Sequence, residues 1–428
     1  MNRNSFRAAT SKMLEAVTVT LVVILMLALG AVARTYETLY KFTGGADGNH
    51  PWAALIFDTA GNLYGTTYSG GDYGAGTAFK LTPNGDGTWT ETVLHSFGEG
   101  DDGASPAAPL VSDEDGNLYG TTNGGGNYGY GCVFEMKPNP DGSWSETTLY
   151  SFTGGTDGTY PVGGVSFDAA GKLYGMTTTG GNGKCSYLGN TGCGTVYMLA
   201  PNPDGTWTES VLHRFNGGAN GGYPDQGNPI LDSAGNLYGV TRNGGLSGPC
   251  DWGDCGVVFR LTPNSDGSWT EKVLHRFTGA DGGNPESKVH LIFDDAGSLY
   301  GTTLNGGLYG CGVVFKLTPS SSDKWTKRVL HHFTGGKDGG NPYAGLIFDA
   351  GGNLYGVTIA GGTHGYGVAF EMTPGAGGRW GEHVLHAFAD NPGAYPGPSV
   401  IFDTAGNLYG ITGGDLYETF GSVFEITP

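Results

Sequence analysis

The sequence predicts an all-β fold, a seven-bladed β-propeller with four antiparallel strands per blade, from three observations. First, the phrase Ala60-Gly61-Asn62-Leu63-Tyr64-Gly65 recurs seven times, the later copies being Asp115 to Gly120, Ala170 to Gly175, Ala234 to Gly239, Ala296 to Gly301, Gly351 to Gly356 and Ala405 to Gly410. Second, the 82 glycines and 21 prolines of the 428 residues fall at fixed offsets between runs of Val, Ile, Leu, Phe, Tyr and Thr, so they punctuate strands. Third, the chain ends cut the repeat at complementary phases. Self-similarity at one period takes precedence over any single-motif reading.

Each unit yields its strands in order. In the first, Ala53 to Asp58 reads as a short apolar strand, Thr59-Ala60-Gly61 as a turn, and Asn62 to Thr67 as a second strand. A Gly/Tyr-rich loop over residues 68–76 leads to a third strand, Thr77 to Thr82. The Asp86-Gly87 pair marks a hairpin, Trp89 to Phe97 is the fourth strand, and residues 98–106 cross to the next unit. Four strands in about 55 residues describe one propeller blade. The last unit stops at its third strand, Val423 to Pro428, whereas Tyr36 to Phe42 aligns with the fourth strand Glu91 to Phe97. The N-terminal segment is therefore expected to complete blade 7 and close the ring, which removes the open edges of an array. Residues 34–428 then form one domain. With the first strand innermost, the fourth-to-first crossings and the second-to-third loops share one face, the top, and the variation between copies falls there.

The first 33 residues differ in kind. Arg3, Arg7 and Lys12 precede an apolar run, Val17 to Leu29, and an Ala31-Val32-Ala33 cleavage site, which together read as a secretory signal peptide. The expected localisation is secreted or periplasmic, with no membrane insertion after cleavage. The net charge of −19 becomes more negative once that segment is removed. Such a chain repels phosphate backbones and anionic lipid, so nucleic acid is excluded as a partner. Export permits the six cysteines to oxidise. Cys185 with Cys193, and Cys250 with Cys255, bracket single loops and are paired locally; a bridge from Cys132 into the Cys185 loop is the alternative.

The repeated polar residues read as scaffold. Asp58, Asp113, Asp168, Asp232, Asp294, Asp349 and Asp403 each open a turn and are assigned to backbone capping. Asp47, Asp102, Asp157, Asn220, Asp281 and Asp338 stand four residues before a proline in the crossings, where a turn role is preferred to a calcium site. His95, His213, His275, His331 and His386 share one fourth-strand position with Tyr40 and Tyr150, which argues for packing and hydrogen bonding between blades. Trp89, Trp144, Trp207, Trp269, Trp325 and Trp380 open fourth strands, where Arg34 stands in the N-terminal copy, and are assigned to blade seams. No cofactor, metal site or catalytic residue is nominated.

The candidates for function are the residues that break the symmetry. Tyr73, Tyr128, Tyr309, His364, Tyr366 and Trp252, with Tyr130 and Tyr187 beside them, lie in the top loops amid Gly, Asn and Asp. Aromatic faces of this kind stack on sugars while neighbouring amides and carboxylates bond hydroxyls.

The unit Leu-x-x-Phe-Thr-Gly-Gly-x-Asp-Gly-x-x-Pro, then Ile-Phe-Asp-x-Ala-Gly-Asn-Leu-Tyr-Gly-Thr-Thr, then Gly-x-Val-Phe-Lys-Leu-Thr-Pro, resembles the bacterial GloVer tandem repeat over residues 36–428. That resemblance implies export and a propeller-like array, and carries no established activity. Members of the family bear varied C-terminal surface anchors, from which this chain departs by ending at Pro428 inside the last repeat. The functional expectation is a monomeric, noncatalytic propeller that presents its top loops to an extracellular glycan or surface protein. A secreted polysaccharide-degrading hydrolase or lyase with its site at the channel mouth is the alternative, and a structural envelope component the second.

Overall fold

The computed structural model describes residues 34–187, 189–224, 227–245, 248, 250, 253–285, 291–413 and 420–427. The signal peptide read in residues 1–33 and the candidate Trp252 lie outside them. Among the described residues, seven antiparallel blade sheets follow one another along the chain, ordered first to fourth strand, with an added strand Gly103–Pro106 in blade 2 and a separate two-stranded ribbon, Ser186–Tyr187 with Asn190–Thr191, in the blade 3 insertion. Blade 1 comprises Ile56–Phe57, Leu63–Thr67, Thr77–Pro83 and Trp89–Ser96. Blade 7 is built from Pro396–Phe402, Leu408–Thr412, Ser422–Thr427 and the N-terminal Thr35–Lys41. The seven-bladed fold and its closure by the N-terminus are thus as the sequence predicts.

Closure reproduces the register of a normal blade. Thr35 faces Thr427 and Lys41 faces Ser422, with a register shift between Thr38 and Tyr40. Blade 2 has the same irregularity between Thr148 and Tyr150. A bulge of this kind bends the outer strand and re-aims the next side chain. Its recurrence shows that Thr35–Lys41 obeys the rules of a fourth strand although nearly 400 residues of chain separate it from its partner.

The core is seven seams. Each hydrophobic cluster draws on two adjacent blades, as Leu63, Phe79 and Leu81 of blade 1 do with Tyr409, Ile411 and Val423 of blade 7. At the centre of each lies a fully buried third-strand aromatic, Phe79, Phe134, Tyr197, Phe259, Phe315, Phe370 or Phe424. Truncating such a residue to alanine typically costs about 3–5 kcal/mol. Toward the rim, the fourth-strand Trp of each blade meets the second-strand Tyr of the preceding one: Trp144 on Tyr64, Trp207 on Tyr119, Trp269 on Tyr174. At the closing seam Arg34 replaces Trp and reaches Glu371 at 3.4 Å.

One expectation needs correction. The first strand of blade 1 is two residues, Ile56–Phe57, shorter than the six-residue run read from sequence. Ala53, Ala54 and Leu55 are buried, but the inner segments turn backbone carbonyls sideways to the preceding blade. Thr121 Oγ1 donates to the Gly163 carbonyl at 2.9 Å and Thr302 Oγ1 to Ala344 at 3.0 Å. Apolar burial there comes from crowding at the axis, without ladder pairing.

The bottom turns are closed by the aspartates assigned to capping. Asp58 accepts the Ala60 and Asn62 amides on Oδ1, and Asn62 Nδ2 and the Tyr64 hydroxyl on Oδ2. The Oδ1 pattern repeats to Asp403. Burial pushes the Asp58 carboxyl up, but these donors more than offset it and hold it below the usual range.

Candidate functional site

The top face is assembled where each crossing meets the second-to-third loop of its own blade. Asn49 and Ser69 exchange backbone hydrogen bonds of 2.7 and 3.1 Å, and the Gly71 amide donates to Gly45. Gly76, with φ of 101°, ends the loop; a β-carbon there would lie 2.3 Å from the Thr67 carbonyl. Only glycine permits that approach.

A ring of strained residues follows. His50, Ser105, Tyr160, Tyr223, Asn284, Asn341 and Tyr395 all have φ between 48° and 58°, and each precedes a proline. Left-handed backbone at a non-glycine residue costs on the order of 1–3 kcal/mol and persists only where surroundings fix it. Here hydrogen bonds on both sides do so: the Tyr223 amide donates to the Cys193 carbonyl of blade 3, and its own carbonyl accepts from the Arg242 amide of blade 4. This ring was missed in the sequence, although the recurring pre-proline position marks it.

The two polar rings read separately from sequence are partners. His95 Nε2 lies 2.9 Å from Asp102, His275 2.8 Å from Asp281 and His331 3.2 Å from Asp338. Tyr40 and Tyr150 donate to Asp47 and Asp157 at 3.1 and 3.0 Å. The aspartate also caps its crossing, as Asp47 does for the Thr43 amide at 2.7 Å. Bulge, histidine and crossing thus form one device that positions the top loops.

The free cysteines fill repeat positions too. Cys132 takes the place that Thr77 and Thr195 hold, its sulfur 3.2 Å from the Thr122 hydroxyl where Thr67 meets Thr77 at 2.9 Å. Burial pushes its thiol up to about 12. Cys193, Cys255 and Cys311 occupy the position where Tyr130 and Phe420 cover a crossing glycine, Gly154 and Gly44 respectively. Disulfides Cys185–Cys193 and Cys250–Cys255 form as the local pairing predicts. They hold the two insertions down against the crossings.

Beside the two disulfides is a cavity of about 370 Å³, lined by residues of blades 3 and 4 and of the crossing between them. Lys184 and Ser186 come from the blade 3 insertion, Asn216 and Tyr223 from the crossing, and Arg242, Asn243 and Asp254 from the blade 4 loop. Polar residues of three different segments therefore border one concavity, a setting of the kind that binds polar ligands. The insertions signalled it in the sequence; their approach across a seam did not.

The candidates named from sequence lie elsewhere on the top. Tyr73, Tyr128 and Tyr309 stand at loop tips of blades 1, 2 and 5, exposed by 51%, 59% and 59%. His364 holds the same tip position in blade 6 and is exposed. The structure brings none of these four together; Tyr73 is engaged by Glu99, whose acceptance of its hydroxyl raises its pKa. Tyr366 is half-buried and packs edge-on against Tyr395 with centroids 5.6 Å apart. Tyr187 lies in the short strand Ser186–Tyr187 of the blade 3 insertion. Among the described residues, no group of three or more His, Cys, Asp or Glu is arranged to hold a metal ion, and no helix is long and apolar enough to cross a membrane.

No curated protein matches the sequence. Two solved structures are similar over most of their length: a gluconolactonase of Xanthomonas campestris, at 13% identity and a TM-score of 0.41 over 93% of this chain and 91% of that one, and a putative oxidoreductase (glucose dehydrogenase) of Thermus thermophilus, at 16% identity and 0.41 over 92% and 100%. The family model described as the Gloeobacter/Verrucomicrobia repeat matches residues 25–188 and 253–428. With the motif matched over most of its length, the chain belongs to the Gloeobacter/Verrucomicrobia repeat family.

Proposed function

We propose that the protein is an exported, noncatalytic propeller that binds a glycan on its top face, with the cavity between blades 3 and 4 as its principal site. The observation that carries this reading is the convergence of Asn216, Tyr223, Asn243 and Asp254 on one concavity at the seam flanked by both disulfide-bracketed insertions. Sugars are recognised by amides and carboxylates that bond hydroxyls in fixed geometry, and fixed geometry lowers the ordering cost of binding. The disulfides fit an oxidising compartment, consistent with secretion or a periplasmic location. Tyr73, Tyr128 and Tyr309 offer outer contacts for a long chain.

A glycan array probed with the mature chain tests this. An Asn243→Trp variant that fills the cavity should lose the signal at unchanged melting temperature, and Tyr73→Ala, Tyr128→Ala and Tyr309→Ala should weaken it less. Absence of any glycan signal, or a signal indifferent to Asn243→Trp, would overturn the assignment. Shortening of a bound oligosaccharide during incubation would replace it with a catalytic one.

A further inference from the structure

We infer that the outer edge of blade 5 is a docking site for an acidic peptide in extended conformation, whose carboxylates are received by Lys324 and Arg328, with Arg379 of blade 6 beside them. The argument starts from one row of each sheet, where a third-strand residue stands opposite a fourth-strand residue. The row reads Lys80 with Thr92, Glu135 with Thr147, Met198 with Ser210, Glu371 with His383 and Glu425 with Glu37 in five blades. Blades 4 and 5 instead pair two cations, Arg260 with Lys272 and Lys316 with Arg328.

The blade 4–5 seam shows what such a pair takes. Asp323, in the turn before the fourth strand of blade 5, accepts from Arg260 Nη1 and Nη2 at 2.9 Å each and from Lys272 Nζ at 2.6 Å. It does so from a left-handed backbone, with φ of 57°, at a turn position that Gly87, Gly142, Gly205, Gly267 and Gly378 fill in the other blades. That conformation costs on the order of 1–3 kcal/mol, which charge-assisted bonds offset. At the blade 5–6 seam the matching Gly378 brings no carboxylate. Lys316 turns inward to Asp294 at 2.9 Å, and Glu382 on the facing strand is set against Asp338. Arg328 is exposed and lies over Gly378, where a β-carbon would come within 2.5 Å of its Nη1. No acid among the described residues pairs with it.

The turns break the repeat in the same direction. Their last residue is Thr88, Ser143, Thr206 and Ser268 in blades 1 to 4, but Lys324 in blade 5 and Arg379 in blade 6, both exposed. Trp325 and Lys327 turn to blade 4, where they meet Tyr238 and Asp281, so the alternating Lys324, Thr326 and Arg328 share the face toward blade 6. Lys324 and Arg328 are about 13 Å apart along an extended chain. Their strand, Trp325–His332, pairs only with Val313–Pro319 and ends its sheet. Its other edge is open to a further strand. A peptide added there has the same period, and acids at every second residue continue the Lys316–Arg328 row with opposite charge, a favourable cross-strand arrangement. The open edge is common to the blades; these cations are not. With 40 Asp and Glu against 21 Lys and Arg, the chain repels an acidic segment elsewhere and leaves this edge to receive it. An acidic polysaccharide meets the same charges but has no amides to pair with the edge, so the edge specifies a peptide.

Fluorescence anisotropy of residues 34–428 with a labelled nonapeptide of alternating threonine and aspartate tests the inference. Arg328→Gln, Lys324→Gln and Arg379→Gln should each weaken binding about 2- to 5-fold, the range for exposed ion pairs, and the triple variant about 10- to 100-fold. The threonine–asparagine analogue should bind at least about 10-fold more weakly than the acidic peptide. Methylating one set of alternate peptide amides should abolish binding and methylating the other set should not, because an added strand donates from one side. Melting temperatures equal to that of the parent chain confirm folded variants. Asn243→Trp should leave peptide binding unchanged, so this site and the glycan site are tested separately. Binding that survives the triple variant, or no binding at about 1 mM peptide, overturns the docking site and leaves the cations as protection of an open edge. Displacement by polygalacturonate at equal carboxylate concentration, with both methylated peptides still binding, overturns strand addition and assigns the edge to acidic polymers at large.

Discussion

Lys327 reaches from the fourth strand of blade 5 to the Asp281 carboxylate in the preceding crossing, 3.2 Å away, with only 6% of its side chain exposed. The same position holds Glu91, Glu146, Glu209, Glu271 and Glu382 in the other complete blades and Tyr36 in the closing strand. In four seams the glutamate faces an aspartate across the gap, and the repulsion adds to burial. In the fifth, Asn220 replaces the aspartate and Glu271 lies 3.8 Å from His213. In the closing seam Pro392 stands at the aspartate's place, and Tyr36 instead stacks on His386 with centroids 4.2 Å apart. One geometry thus holds a repelling acid pair in four seams and a different arrangement in each of the other three.

The glutamates should make the scaffold prefer mild acid. Burial first, then the facing aspartate, pushes Glu91 up to about 7. A carboxyl whose folded pKa is raised contributes stability below its unfolded value, near 4.5, and loses it as pH rises through 7. Histidines such as His213, pushed down to about 4 by burial, pull the opposite way between pH 4 and 6.5, so the glutamate contribution is isolated by difference. Glu91→Gln should therefore gain stability relative to the parent chain between pH 5 and pH 8, by about 1 kcal/mol after discounting for its partial exposure. Chemical denaturation at the two pH values measures this; a pH-independent difference would refute it.

Lys327→Glu should recreate the acidic seam at blade 5. Burial lowers the lysine to about 8 even against the attraction of Asp281. Against the upward push of burial, the His275 bond and the Lys327 charge keep Asp281 well below the ordinary carboxylate range. Placing a glutamate there should cost about 2 kcal/mol or more at pH 8, since it leaves two acids facing across a mostly buried gap. At pH 5, where the new carboxyl accepts a proton, the cost should be smaller. Equal losses at both pH values in the same denaturation experiment would contradict the seam account.

Removal of residues 34–41 should do more harm than their length suggests. It strips the pairing partner from Ser422–Thr427 and removes Tyr36 from its contacts with His386 and Phe424. An exposed edge strand is a template for association. The shortened chain should elute as larger assemblies than the parent chain in size-exclusion chromatography, and adding a peptide of residues 34–42 should restore the parent profile. A shortened chain that elutes as the parent does and unfolds as cooperatively would show that closure is dispensable.

How far the sequence could be read depended on whether a residue obeys the repeat. Leu63, Phe79 and Trp89 recur at fixed spacing, and one copy suffices to place all seven strands of a kind. Asp58 was legible because an Asx turn is local chemistry, complete within six residues. The pairing of His95 with Asp102 was not read, although only seven residues separate them, because it depends on the outer-strand bulge that re-aims the imidazole. The cavity was still less visible. Lys184, Tyr223, and Arg242 with Asp254 come from three separate segments, and that they border one cavity is a tertiary matter that periodicity does not encode. Aromatic character directed attention to Tyr73, Tyr128 and Tyr309, which repeat at one loop tip and so stay at least a blade apart.

Ligand binding that resides where the repeat is broken, at the blade 3–4 cavity, should leave a local footprint. Hydrogen-exchange mass spectrometry of residues 34–428, with and without a saturating oligosaccharide selected on the glycan array, reads that footprint. Protection should concentrate in residues 178–194, 216–223 and 242–256, with the loop tips at 72–74, 127–130 and 308–310 changing little. Protection confined to those tips, or spread equally over all seven blades, would contradict it.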